Sequence, residues 1–181
     1  MGKRDKKRCS WCLSDPAYIE YHDNEWGNLE NNSAKLFEML SLEMMQSGLS
    51  WLTILKKRDG MRTAYYNFNP LKLSRVKKSW IASKLTDTRV IRHEQKIKAL
   101  VNNARVYLKI DDFGSLLWSF SPERKDKIYK KIPSFTPEST AMSKCLKEKG
   151  FKFVGPKVCY SLMQSCGMVN DHEPSCWRVE D

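Results

Sequence analysis

Gly150-Phe151-Lys152-Phe153-Val154-Gly155 sits between two helical patterns and sets the fold class. Ahead of it, Thr136-Pro137-Glu138 opens a helix that carries Met142, Cys145 and Leu146 and stops at Gly150. Behind it, Pro156 starts another, through Val158, Leu162 and Cys166 to Gly167. Proline suits a first helical turn, where the N–H it lacks would have no intrahelical acceptor, and glycine suits the residue past a helix end. Two helices joined by a short glycine-bounded turn form a helix-hairpin-helix unit, here over residues 140–167. Gly150 and Gly155 let the backbone turn tightly and expose amides at the start of the second helix, an end whose partial positive charge suits a phosphate. Lys152 and Lys157 flank it and add point charges, contacts that position DNA without reading its sequence. The same arrangement is also an ordinary corner of an all-α protein.

Working outward, the helical period recurs and strand signals are weak. Asn32 and Ser33 offer caps for a helix through Leu36, Phe37, Met39, Leu40 and Glu43 to about Ser47, where Gly48 breaks it. A second begins near Ser50 and Trp51 and turns Ile54 and Leu55 inward. From His93, apolar residues at Ile97, Leu100, Val101, Ala104, Tyr107 and Leu108 form a single-face stripe, and Asp111 to Phe120 reads as a turn and a short helix. There is no internal repeat and no low-complexity linker, so residues 1–181 are expected to form one all-helical domain with a basic, flexible N-terminus at 1–8.

At 181 residues the chain is long enough for one substantial core and too short for two. Lys and Arg outnumber Asp and Glu by 32 to 21, a formal charge of +11 that favours polyanions, with nucleic acid first and an anionic membrane second. No window approaches the eighteen apolar residues of a spanning helix, and the basic N-terminus leads into Cys9, Trp11 and Asp15 rather than an apolar signal core. Position six is Lys, against myristoylation, so a cytoplasmic protein with no membrane partner is expected. Of the six cysteines, Cys145, Cys159 and Cys166 lie among apolar neighbours as buried thiols, whereas Cys9 and Cys176 each have a histidine nearby.

Three further constellations could carry chemistry. Glu43 follows Leu36, Met39 and Leu40 at helical spacing and so shares their face. A carboxylate there is costly to bury without a partner. With Tyr18, Tyr21 and Trp51 near in sequence it would suit a flat, cationic ligand, or it is a helix-edge glutamate reaching solvent. Cys9 lies thirteen residues before His22, and His172 four before Cys176, which is a preferred closed tetrahedral zinc set or four unrelated side chains. The 149 residues between His22 and His172 exclude a self-contained zinc finger, and four protein ligands would make such a metal structural. Lys157 stands where hairpin-type glycosylase/lyases carry a Schiff-base lysine, or is a solvated first-turn lysine, and no cluster of four cysteines follows it.

Together these pieces resemble the bacterial 3-methyladenine DNA glycosylase I family, from Cys9 to Cys176. The resemblance rests on Cys9-Ser10-Trp11, Tyr21-His22-Asp23-Asn24-Glu25-Trp26-Gly27, Lys35-Leu36-Phe37-Glu38-Met39-Leu40, Leu42-Glu43 and Gly48-Leu49-Ser50-Trp51. It continues through Ile91-Arg92-His93, Lys96-Ile97, Gly150 to Gly155, Cys159-Tyr160 and Val169-Asn170-Asp171-His172. The chain departs from the family pattern at Met44-Met45, where a Gly and a more polar residue are usual.

The resemblance implies an all-helical fold of the helix-hairpin-helix glycosylase type, with one structural zinc ion held by Cys9, His22, His172 and Cys176 joining the terminal segments. It places base recognition at Glu43, with Tyr18, Tyr21 and Trp51 as the aromatic pocket and Trp11 close by. It implies a monomeric, monofunctional enzyme that hydrolyses the N-glycosidic bond of 3-methyladenine flipped out of alkylated double-stranded DNA. Leu49 is the candidate wedge into the emptied stack. Asp171 is read either as orienting His172 or as a helix cap. A bifunctional glycosylase/lyase using Lys157, a non-catalytic damaged-DNA-binding module and, more weakly, a zinc-dependent regulator are the rival readings.

Overall fold

The computed structural model describes residues 6–123 and 132–179. Among these, every regular element is helical. The α-helices are α1 (Pro16–Asn24), α2 (Ser33–Gln46), α3 (Trp51–Ala64), α4 (Pro70–Ser74), α5 (Lys78–Thr86), α6 (Glu94–Tyr107), α7 (Phe113–Trp118), α8 (Pro137–Glu148) and α9 (Pro156–Ser165). Short 3-10 turns occur at Ser10–Cys12 and Tyr66–Phe68.

Side-chain caps set the starts of the main helices, as their sequence predicts. Asn32 accepts from the Ala34 and Lys35 amides, and Ser50 from the Thr53 amide. Thr136 and Ser139 cap α8 reciprocally, each side chain taking the other's backbone N–H. Each such cap contributes on the order of 1 kcal/mol. α2 is the central element, packed against α3, α6, α7 and α9. Its Leu36, Phe37, Met44 and Met45 are fully buried, and because neighbours surround it Glu38, Ser41 and Glu43 are buried too. α6 packs on α4 and α5, and its stripe is buried at Ile97, Leu100, Val101 and Ala104, but Leu108 is 46% exposed. Leu108 is the residue at which α6 ends, so the chain has already left the core face there.

The terminal segments lie together. The Trp177 amide donates to the Lys7 carbonyl at 2.9 Å, and the Arg178 guanidinium donates to the carbonyls of His22 at 2.9 Å and Trp26 at 2.7 Å. Residues 1–5 of the basic N-terminus lie outside the described residues. The rest of it is docked: Lys6 sits 3.6 Å over the Trp177 ring and Arg8 pairs with Asp23 at 2.8 Å. No helix among the described residues is long and apolar enough to cross a membrane.

Candidate active site and metal-binding group

Glu43 projects from α2 into the floor of a cavity of about 230 Å³. Trp11, Tyr18, Tyr21 and Trp51, the four aromatic residues anticipated from sequence, all line it. Trp11 meets Tyr18 edge-on at 5.7 Å, and Tyr21 tilts against Trp51 at 5.4 Å. The Tyr18 hydroxyl accepts from the Leu52 amide at 3.0 Å, which fastens α1 to the start of α3. Glu43 is only 5% exposed, and burial raises its carboxyl to about 8 against a hydrogen bond with the Ser165 side chain that favours the charged form. Burial, with the neighbouring Glu43 charge, likewise pushes the Tyr21 hydroxyl well above 10. Met44 and Met45 are fully buried and do not line the cavity, so the departure at this pair puts no side chain on its walls. Sequence reasoning missed Trp26, Gln46, Ser161 and Gln164, which also line it. Trp26 lies within the Tyr21–Gly27 motif; the three polar residues give no periodic signal. Tyr21, Glu43 and Trp51 also border a second cavity of about 230 Å³, whose walls carry the ion pairs Arg58–Glu25 and Arg62–Glu38.

At the rim, Gly48 adopts a left-handed φ of +81° that ends α2, and Leu49 is 42% exposed. The buried Lys96 ammonium donates to the carbonyls of Met45 at 2.9 Å and Ser47, fixing the turn that presents Leu49.

The turn between α8 and α9 is held from behind. The Gly150 amide donates to the Lys147 carbonyl and the Phe151 amide to that of Leu146, both at 2.9 Å, the paired closure that a left-handed glycine allows. Asn103 takes the Lys152 amide at 2.8 Å and donates to the Lys152 carbonyl at 3.0 Å. Ser143 donates to the Val154 carbonyl at 2.6 Å. The expectation that Gly155 supplies a tight turn needs correction: its φ is an ordinary −67°, and the second left-handed residue is Phe153 at +58°. A Cβ at Gly155 would meet nothing within 4 Å, so neither its backbone angle nor the packing around it calls for glycine. α9 has no side-chain cap, unlike α2, α3 and α8, and Lys152 and Lys157 stand exposed beside its start. Lys157 does not line the Glu43 cavity.

Cys9, His22, His172 and Cys176 come together from the two ends of the sequence, all buried, with ligand atoms within 4.8 Å of one another. They form a group that could hold a metal ion. Cys9 Sγ lies 3.5 Å from His172 Nδ1, and Cys176 Sγ lies 3.3 Å from His22 Nε2 and 3.6 Å from His172 Nδ1. With zinc bonds of roughly 2.0–2.3 Å, the edges of a tetrahedron are about 3.3–3.8 Å, and these three separations fall within that range. The Glu173 amide points at Cys9 Sγ and the Arg178 amide at Cys176 Sγ, donors that suit thiolates. Asp23 engages His22 Nδ1 at 2.9 Å and is itself held by Arg8, which keeps its carboxyl at about 2. The group backs onto the aromatic pocket: Trp26 packs edge-on to His172 at 4.6 Å and to Trp11 at 5.1 Å.

A buried acid walled by aromatic rings, on a basic helical scaffold, makes a pocket whose chemistry suits a flat, cationic ligand. The chain belongs to the methyladenine glycosylase family, whose sequence model matches residues 11–179. It is 45% identical over 178 residues to DNA-3-methyladenine glycosylase 1 of Escherichia coli K12, covering 94% of this chain and 95% of that one. It is 41% identical over 177 residues to the DNA-3-methyladenine glycosylase of Haemophilus influenzae, covering 93% and 96%. A crystal structure of 3-methyladenine DNA glycosylase I superposes with a TM-score of 0.91 at 45% identity, over 95% of this chain and 99% of that one. The Staphylococcus aureus 3-methyladenine DNA glycosylase I, described for its recognition of 3-methyladenine, superposes with a TM-score of 0.88 at 36% identity, over 94% and 95%.

Proposed function

We propose that this protein is a monofunctional glycosylase of base-excision repair that releases 3-methyladenine from alkylated double-stranded DNA. The observation that carries the reading is Glu43, buried among Trp11, Tyr18, Tyr21 and Trp51, in a chain 45% identical to a named DNA-3-methyladenine glycosylase. Methylation at N3 gives adenine a positive charge and weakens its bond to deoxyribose, so the protein needs little acid catalysis. It needs to extrude the base, select it and admit water to the sugar. A cation entering the pocket favours the ionised form of Glu43, whose proton passes to solvent, so that carboxylate and base meet as a desolvated ion pair. Trp51 and Tyr21 offer their faces to it. Leu49 fills the gap left in the stack. The open start of α9, with Lys152 and Lys157, holds the phosphate backbone of a helix-hairpin-helix contact. Cys9, His22, His172 and Cys176 would hold one zinc ion as a structural centre, tying the terminal segments together behind Trp11 and Trp26. The protein acts as a single-domain monomer in the cytoplasm.

The exposed position of Lys157, away from the cavity, weighs against the lyase reading. Methylated duplex DNA incubated with the protein is expected to yield free 3-methyladenine, an uncut strand carrying abasic sites, and no adduct trapped by borohydride. A trapped adduct that vanishes in Lys157→Ala would make the protein a lyase. Tight binding without base release would make it a binding module.

A further inference from the structure

Asp171 is 5% exposed, and its Oδ2 accepts from the Tyr160 hydroxyl at 2.6 Å and from Gln164 Nε2 at 2.7 Å. Tyr160 and Gln164 lie one turn apart on α9, so one carboxylate serves both. A carboxylate can only accept, and the contact therefore settles which end of the Gln164 amide faces Asp171. It is the NH₂ group. Gln164 lines the same cavity as Glu43 and Trp51, and among the described residues no hydrogen bond engages its carbonyl oxygen. That oxygen is the polar atom of Gln164 left to meet a bound base.

We propose that Gln164, pinned by Asp171, is a specificity-determining residue: its carbonyl accepts from the 6-amino group of an adenine-type base and turns away the 6-oxo group of a guanine-type base. The inference rests on the base-excision reading above. Both purines methylated at N3 are flat cations, so stacking and the Glu43 charge favour them alike. They differ at position 6, where adenine donates N–H and guanine presents an acceptor. A free glutamine would satisfy either by turning over its amide. One whose NH₂ is already committed presents oxygen only, and two acceptors facing each other in a desolvated pocket are penalised. Asp171 is on this account a positioning residue, acting through Gln164, and neither caps a helix nor activates water.

The test is single-turnover release of 3-methyladenine and 3-methylguanine from duplex DNA treated with a methylating agent, for wild type, Gln164→Leu and Asp171→Asn. Gln164→Leu is expected to lower 3-methyladenine release about tenfold and, with the facing acceptor gone, to leave 3-methylguanine release no lower than in wild type, so that the ratio falls about tenfold or more. Asp171→Asn frees the amide to turn over and is expected to raise 3-methylguanine release relative to 3-methyladenine. Ratios within twofold of wild type in both variants would overturn the inference, including the case where both rates fall together, which a purely structural role would give. A wild-type protein that releases neither base would overturn the base-excision reading, and this inference with it.

Discussion

Before a base enters the pocket Glu43 holds a proton at neutral pH, because burial raises it to about 8 from an ordinary 4.5. A folded-state value above the unfolded one means that the stability it contributes is fully present below about 4.5 and is lost as pH rises through about 8. Glu43→Gln removes this dependence. The melting temperature of the variant relative to wild type is therefore expected to rise as pH goes from about 4.5 to about 8 and to level off above; a difference flat across that range would contradict the burial argument. Leu49 makes a separable prediction. With 42% of its surface exposed it contributes little to the core, so Leu49→Ala should leave the melting temperature unchanged. If it fills the stack, single-turnover excision should fall about tenfold or more, on the order of 1.5–3 kcal/mol of apolar burial.

The turn between α8 and α9 tests how elements, rather than single side chains, hold DNA. Removing one phosphate-binding lysine should reduce the slope of log affinity against log salt by about 1. The double variant Lys152→Ala, Lys157→Ala should bind duplex more weakly by roughly the same factor for damaged and undamaged DNA, with a slope shallower by about 2. An unchanged slope would remove the turn from the DNA interface. Much of this element was legible in sequence. Thr136, Pro137, Pro156, Gly150 and Gly167 have local meanings, set by caps, missing N–H groups and left-handed φ, that tertiary context did not override. The misreading of Gly155 has a physical source: a glycine that the backbone requires for its φ and one that it does not require look alike in sequence. Phe153, Tyr66 and Phe68 take left-handed angles that their residue types disfavour, so no local rule could find them. α5 has no buried residue, and α1 and α4 are short; none carries the long apolar stripe that revealed α2 and α6.

At the scale of the molecule, the Cys/His group joins segments that no local element connects. Prolonged treatment with a strong chelator should lower the melting temperature by several degrees and reduce excision, because Trp11 and Trp26 rest against His22 and His172. Zinc added back should restore both, and a protein free of bound metal with normal melting would contradict a structural metal. The four residue types and their spacing suggested the group, but only the folded chain brings Cys9 to His172, 163 positions away. The polar lining of the pocket was hidden for a related reason. Gln46, Ser161 and Gln164 sit half-buried on two helices, and polar residues at a helix edge look the same whether they face water or a ligand. Glu43 was legible because a carboxylate on an apolar face is conspicuous. The proposed chemistry stands on that residue, and the most direct test is single-turnover release of 3-methyladenine from methylated duplex DNA by wild type and Glu43→Gln at saturating protein. Wild-type release with at least a hundredfold loss in a variant that still folds and binds duplex is the predicted result; equal release by both proteins would contradict a role for Glu43 in excision.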